Sequence, residues 1–188
     1  MSESTAMKGV KLVVVTAIAA ALYGFGGLIG IPVFANTTLK PAMAILALFA
    51  GIYGPVVGFI SGFLGHLLTD AFSGWGVWVS WAFGSGLVGA MIGAFPYITK
   101  KRIQKGIFGG ADVSLLVVIS FVANFIGYLI SAIIDYFAYG EPFDKVITQQ
   151  LITAVSNTVM IAIIGSALMY LVARNYKGKQ NLTLDESK

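Results

Sequence analysis

The sequence predicts an all-α integral membrane protein, a bundle of six transmembrane helices with both termini in the cytoplasm. Of its 188 residues, 57% are hydrophobic and only 11% are charged, whereas a soluble domain is typically about one quarter charged. The 23 glycines indicate close helix packing, and the short alternating segments of a transmembrane barrel are not found. Because the chain has no cysteine, disulfides, thiol catalysis and cysteine-ligated metals are excluded.

Six apolar segments predict the helices of a single membrane domain. The first segment is long enough to cross roughly 30 Å of hydrocarbon and has no cleavage-like site, so no signal peptide is expected. The second is too short to span without tilt, and Pro55 suits the first turn of the third. The helices are predicted at about residues 10–31, 42–52, 55–71, 82–98, 113–139 and 146–173, before a polar tail, 174–188.

The distribution of lysine and arginine predicts the orientation of the bundle. Six crossings put both termini on one side of the membrane, together with the basic loop at residues 100–105. Of the 12 lysines and arginines, all but Lys40 and Lys145 fall on that side. The positive-inside rule therefore puts both termini in the cytoplasm. The net charge of +4 is a topology signal here and gives no reason to expect a nucleic-acid partner.

Small residues recur at every fourth position on the predicted third helix. Gly54, Gly58 and Gly62 lead to His66 and Asp70, and steps of four keep neighbouring members on one helix face. The glycines let another helix approach closely. The histidine and the aspartate stand at the rim of an apolar segment, where ionisable groups are functional candidates. The fourth helix has a second packing ridge of Ser85, Gly89 and Gly93.

Polar and aromatic side chains collect at the outer end of the predicted bundle. They come from the loop at 32–41, the tryptophan-rich segment at 72–81, and the outer ends of helices three, five and six. A cleft with aromatic walls and a few orienting polar groups is the ordinary form of a small-molecule site. On helix five these groups form a stripe of Ser120, Asn124, Tyr128, Ser131 and Asp135. The predicted ligand contacts are Asn36, Thr37, Lys40, His66, Asp70, Trp75, Trp78, Tyr128, Asp135, Tyr136 and Gln149.

Each of these features also has a structural interpretation. His66 and Asp70 could form a helix-surface pair, the tryptophans could be a membrane-interface belt, and the stripe on helix five could serve interhelical hydrogen bonding. No phosphate loop is present, and a single histidine excludes a multi-histidine metal centre. The sequence therefore predicts a small-molecule binder with no catalytic residue, metal or cofactor of its own.

Two segments carry a resemblance to a known family. Ala17-x-x-x-Ala21 lies on the first helix, and GIYGPVVGFISGFLGHLLTD covers residues 51–70. Together with six helices in fewer than 200 residues, they resemble the substrate-binding S component of an energy-coupling factor (ECF) transporter, a vitamin importer of the bacterial cytoplasmic membrane. The resemblance implies that the alanines contact a membrane-embedded T component coupled to two ATP-binding-cassette ATPases. It also implies that residues 32–41 form a lid over an outward vitamin site.

The same resemblance bears on the substrate. Residues 34–70 resemble a subgroup that is loosely labelled as riboflavin transporters and has been linked to cobalamin. Cobalamin is favoured, because a wide aromatic cleft without an obligatory charge partner suits a large, mostly neutral corrinoid; riboflavin or another vitamin or precursor is the alternative. The competing class is a membrane-integral enzyme acting on lipid, which would need metal ligands or a nucleophile–base pair. Only His66 and Asp70 approach that arrangement.

Overall fold

The computed structural model describes residues 5–34, 37–74 and 76–185. Two predicted ligand contacts, Asn36 and Trp75, lie outside these ranges. The helices are α1 (Thr5–Gly26), α2 (Ala42–Tyr53), α3 (Pro55–Ser73), α4 (Val79–Ile92), α5 (Phe95–Ile98), α6 (Gly110–Ala138), α7 (Phe143–Met160) and α8 (Ser166–Asp185). The strands β1 (Ile31–Phe34) and β2 (Thr37–Leu39) form an antiparallel hairpin. A 3₁₀ turn lies at Ile103–Lys105, and a π-helical turn, Ile161–Gly165, joins α7 to α8.

Within the described ranges, five helices are long and apolar enough to cross a membrane. These segments are Gly9–Gly26, Pro55–Ser73, Val79–Ile98, Gly110–Ala138 and Phe143–Lys179. Helix α2 is also apolar but has only 12 residues, or about 18 Å at 1.5 Å per residue, which falls short of the hydrocarbon thickness. This mostly helical architecture agrees with the predicted all-α membrane protein. Six crossings and cytoplasmic termini remain predictions.

Several segments differ from the boundaries expected from sequence. The helix expected at 82–98 is divided into α4 and α5, and the one expected at 146–173 is interrupted by the π-helical turn. Helix α1 ends at Gly26 rather than near residue 31, because Gly27 lies directly against the Thr69 side chain and the chain then turns into β1. The segment expected as a polar loop at 32–41 contains most of the hairpin. Helix α8 continues to Asp185, into the segment expected as a polar tail, since arginine, lysine and glutamine are strong helix formers.

Glycines bring the backbone of α3 into contact with its neighbours. A Cβ at Gly58 would collide with the Gly89 carbonyl of α4, and a Cβ at Gly65 would lie 2.8 Å from the Ala20 carbonyl of α1. Such contacts suit a bundle in which close packing, rather than the hydrophobic effect, holds helices together. Helix α3 therefore sits between α1 and α4, in close backbone contact with both.

The hydrophobic core fills the bundle between its two ends. It extends from Met43 and Tyr128 through Val88 to Phe95 and Ile103, all at most 2% exposed. Met43 and Tyr128 border a cleft at one end, whereas Phe95 and Ile103 adjoin the basic loop at the other. The two ends of the molecule are therefore separated by packed apolar side chains.

Candidate functional site

A cleft of about 820 Å³, including its open mouth, lies at the end of the bundle where α1, α3 and α6 finish and α2, α4 and α7 begin. We call it the aromatic cleft. It is lined by Tyr23, Thr37, Thr38, Lys40, Met43, His66, Asp70, Gly76, Trp78, Trp81, Tyr128, Asp135, Glu141, Lys145, Gln149, Thr153 and Asn157.

The aromatic cleft brings together most of the described residues that were expected to touch ligand. Those lining it are Thr37, Lys40, His66, Asp70, Trp78, Tyr128, Asp135 and Gln149. Tyr136 lies outside the cleft, 43% exposed, with its ring centroid 4.9 Å from that of Phe137 and 5.8 Å from that of Phe143. The side chains of adjacent residues on a helix point about 100° apart. Because Asp135 points into the cleft, the side chain of Tyr136 points away from it.

Sequence reasoning did not select several other lining residues. Tyr23 is buried at the end of α1 and Met43 at the start of α2. Tyr23 could have been found as a tyrosine near the outer end of the first helix, whereas nothing in the sequence distinguishes Met43 from other core residues. Trp81 belongs to the tryptophan-rich segment, and Thr153 and Asn157 belong to a polar stripe on the predicted sixth helix, but none of the three was selected as a ligand contact.

Ser85 joins four helices beneath the aromatic cleft. Its Oγ lies 2.7 Å from Nδ1 of His66 on α3 and 2.9 Å from the Tyr128 hydroxyl on α6. The Tyr23 hydroxyl on α1 donates to the same oxygen at 3.3 Å. A serine hydroxyl offers one proton and two lone pairs, enough for these three partners. Ser85, expected from sequence only as a packing residue, is thus the polar centre of the cleft floor.

Asp70 connects α3 to the segment before α4. The backbone N–H of Trp78 donates to its Oδ2 at 3.0 Å, and its Oδ1 lies 3.5 Å from Nε2 of His66. Lys40, which follows the hairpin, lies on the same side of the cleft. Burial lowers the pKa of the Lys40 ammonium, and the charge of Asp70 partly opposes this effect. The carboxylate of Asp70 therefore faces both the cleft and the base of the hairpin.

Asp135 is held by the first turn of α4. The hydroxyl of Ser80 donates to its Oδ1, and the indole N–H of Trp81 donates to its Oδ2. Ser131 on α6 donates in turn to the Ser80 carbonyl at 2.8 Å. The ring of Trp81 stands 5.2 Å from that of Tyr128, centroid to centroid. Asp135 thus fixes one aromatic wall of the cleft.

The deeper part of the polar stripe on α6 serves helix packing. Asn124 donates to the Ser120 carbonyl at 2.8 Å and accepts a hydrogen bond from the Asn157 amide at 3.1 Å. Gln150 of α7 donates to the Phe125 carbonyl at 3.1 Å. Interhelical hydrogen bonding is therefore confirmed for the stripe, and its outer half also borders the aromatic cleft; ligand contact there stays a prediction.

The charges of the aromatic cleft nearly balance. Lys145 pairs with Glu141 at 2.6 Å, and Lys40 faces Asp70. The remaining carboxylate, that of Asp135, is held by the hydrogen bonds from Ser80 and Trp81. Among the described residues, no group of three or more histidine, cysteine, aspartate or glutamate side chains could hold a metal ion. This arrangement can enclose and orient a flat, largely uncharged molecule.

Helix α1 presents two different faces. Ala20, Tyr23 and Gly24 are buried, and Gly24 packs against the backbone of Gly65. On the other side Ala17 is exposed and Ala21 is partly exposed. Apolar side chains such as that of Val14, which is 50% exposed, accompany them on this face. The alanines expected to contact a T component therefore lie on a surface that the described part of the chain leaves uncovered.

Comparison with known proteins agrees with this architecture. The sequence model of the family described as "ECF-type riboflavin transporter, S component" matches residues 7–174. A UPF0397 protein of Aliivibrio salmonicida is 56% identical over 175 residues, which is 92% of this chain and 96% of that protein. UPF0397 proteins of Vibrio vulnificus and Photobacterium profundum are 57% and 54% identical over 92% of this chain, and the matches cover 96% and 95% of their own lengths.

Proposed function

Because the chain belongs to the family of S components of ECF-type vitamin transporters, we propose that the aromatic cleft is its vitamin site. Members of this family are non-catalytic substrate-binding subunits of the bacterial cell membrane, and they work with a T component and ATPases. The observation that carries the proposal is the convergence of aromatic and hydrogen-bonding side chains on one cleft at a single end of the bundle.

The substrate that we propose is a vitamin with a flat aromatic ring system, with riboflavin as the first candidate. Trp78, Trp81 and Tyr128 supply aromatic walls, and the cleft volume of about 820 Å³ includes open space at its mouth. A flavin can place its ring against these walls and its polar edge toward His66 or Gln149. The description of the matching family, a riboflavin transporter component, supports the same choice.

Cobalamin, which the sequence favours, is the second candidate. A corrinoid has several times as many heavy atoms as a flavin, so it would require a wider cleft. The hairpin offers a way to widen it, because strand β1 is exposed along its whole length while β2 carries the buried Thr37. Outward movement of the hairpin would enlarge the opening without disturbing the helices.

The hairpin is proposed to act as the lid. It follows α1, ends beside Lys40 and contributes Thr37 and Thr38 to the cleft lining. Its strands are joined by only a short ladder, with Ile31 opposite Leu39 and Pro32 opposite Thr38. A small unit of this kind is not independently stable, so contacts with the helices and the bound vitamin would determine its position.

Calorimetric titration of the purified protein with riboflavin and with cobalamin tests the substrate. We expect saturable binding of riboflavin with one site per chain and much weaker binding of cobalamin. Tight binding of cobalamin alone would replace the first candidate by the second. Absence of binding for both vitamins would refute both substrate assignments. Hydrolysis or modification of either vitamin would contradict a purely binding role.

We also propose that Ala17 and Ala21 form the contact with the T component. A bulky side chain at this small-residue surface holds two helices apart. Ala17→Trp should therefore abolish pull-down of the T component while vitamin affinity remains unchanged. The matched control is Leu12→Trp, which adds the same ring to an exposed position about 140° away around α1. Retention of the complex by Ala17→Trp would refute the assignment.

A further inference from the structure

A second pocket lies at the end of the bundle opposite to the aromatic cleft. It occupies about 860 Å³, including open space, between α8 and the loop that precedes α6. We call it the basic pocket. Its lining consists of Arg102, Gly106, Ile107, Phe108, Gly109, Tyr170, Ala173, Arg174 and Lys177. Nothing in the vitamin-binding function uses it.

The shape of the basic pocket follows from one close contact. Gly106 has a left-handed backbone (φ 74°), and a Cβ there would lie 2.7 Å from the Cβ of Lys177. The loop can therefore touch α8 at this point only because residue 106 is glycine. Tyr170, Arg174 and Lys177 follow one another at steps of four and three, so one face of α8 forms the wall opposite the loop.

The basic pocket carries an excess of positive charge. Arg102 pairs with Asp112 at 3.1 Å, whereas Arg174 and Lys177 have no ion-pair partner among the side chains that the structure describes. Lys100, Lys101 and Lys105 lie in the adjoining loop and add to the positive field. Two cations in one concave site are suited to a phosphate group, which accepts hydrogen bonds from both.

Apolar surface adjoins these cations. Tyr170 is 51% exposed and Ile107 46% exposed, and both also line the pocket beside the charged groups. Tyr170 lies one turn from Arg174 toward the middle of the membrane-spanning helix. A ligand that pairs with the cations and also covers the apolar side chains has an anionic head and an apolar tail. A soluble phosphate would leave the apolar wall uncovered.

We propose that the basic pocket binds the headgroup of an anionic phospholipid, with the phosphate between Arg174 and Lys177 and an acyl chain along Tyr170. Basic pockets between transmembrane helices on the cytoplasmic side bind such headgroups, and the predicted orientation puts this end in the cytoplasm. The bound lipid would occupy the groove between α8 and the loop. The site is independent of the vitamin that the protein binds.

Native mass spectrometry of the full-length protein tests the proposal, with phosphatidylglycerol and phosphatidylcholine as probes. The wild type should retain one phosphatidylglycerol at a concentration roughly tenfold below that needed for phosphatidylcholine, and the double variant Arg174→Gln/Lys177→Gln should lose this preference. The matched control, Lys100→Gln/Lys101→Gln, removes the same charge from the same end outside the pocket and should keep the preference. Arg102 is left unchanged because it pairs with the buried Asp112.

Three outcomes would overturn the proposal. The first is an unchanged preference in Arg174→Gln/Lys177→Gln, and the second is an equal loss in both double variants, which would indicate diffuse charge rather than a site. The third is displacement of the lipid by millimolar inorganic phosphate, which would indicate a soluble-anion site. A thermal melt of each variant verifies folding, and the single Lys177→Gln variant, with a smaller expected loss, replaces the double variant if that one is unstable.

Discussion

Asp70 and Asp135 both line the aromatic cleft, but their carboxylates are held in different ways. Each oxygen of Asp135 accepts a hydrogen bond from a side chain of α4, one from Ser80 and one from Trp81. Asp70 accepts one hydrogen bond from a backbone N–H, and its other oxygen is 3.5 Å from His66, beyond ordinary hydrogen-bond length. Asp70 is therefore available to a ligand or to the lid, whereas Asp135 is part of the wall.

The largest effect is expected from Asp135→Ala. The change leaves the Ser80 hydroxyl and the Trp81 indole N–H without their acceptor, at about 1–3 kcal/mol for each buried unpaired group. We expect a lower midpoint of thermal unfolding together with weaker vitamin binding, since Trp81 loses its anchor. Asp135→Asn keeps one acceptor oxygen and should be milder in both measurements. An unchanged melting midpoint in Asp135→Ala would mean that this carboxylate does not stabilise the fold.

Ser85→Ala should have the next largest effect. It removes the oxygen that His66, Tyr128 and Tyr23 share, so we expect roughly tenfold weaker vitamin binding with a modest loss of stability. The matched control is Ser166→Ala, because the buried Ser166 hydroxyl has no hydrogen-bond partner within the described ranges. Equal effects of the two substitutions in calorimetric titration would show that Ser85 matters only through packing.

Asp70→Asn tests directly whether Asp70, unlike Asp135, affects vitamin binding without affecting stability. Because one oxygen of Asp70 is available, we expect vitamin affinity to fall by about three- to tenfold while the melting midpoint stays unchanged. Asp144→Asn, an exposed acid at the same end of the molecule, is the charge-matched control and should bind normally. A drop in stability comparable to that of Asp135→Ala would erase the distinction between the two aspartates.

The smallest effect is expected from Lys40→Met. Loss of the ammonium removes its attraction to Asp70 at the base of the hairpin, so stopped-flow release of the vitamin should be about two- to fivefold faster. Burial lowers the pKa of Lys40, so it loses its proton at a lower pH than an exposed lysine. Release from the wild type should therefore accelerate as pH rises toward the ordinary lysine range, and release from Lys40→Met should not.

The sequence predicted the main helices because the length of an apolar run and the period of its polar residues are local properties. Helices α3 and α6 lie close to their expected positions for this reason. The hairpin was missed because its strands are short, contain Pro32 and depend on contacts with distant helices. The end of α1 was misplaced because the contact between Gly27 and Thr69 joins two separate helices.

The candidate site could be predicted only in outline. Periodicity places Tyr128 and Asp135 on the same face of α6, but it does not show that Asp135 is bound by α4 while Tyr128 reaches Ser85. Tyr23 enters the cleft because the rotation of α1 is fixed by its backbone contact with Gly65. Such relations between helices have no counterpart in the spacing of residues along one helix.

The π-helical turn Ile161–Gly165 lies between the two halves of the last long helix. A π turn accommodates one residue more than an α turn, and each residue rotates a helix by about 100°. Gln149 and Asn157 precede this turn and line the aromatic cleft, whereas Arg174 and Lys177 follow it and line the basic pocket. In a straight α-helix an inserted residue would rotate everything beyond it by that angle, whereas the wider π turn takes up the extra residue locally. Arg174 and Lys177 therefore keep the direction that an uninterrupted α-helix with one residue fewer would give them, and one continuous helix borders both proposed sites.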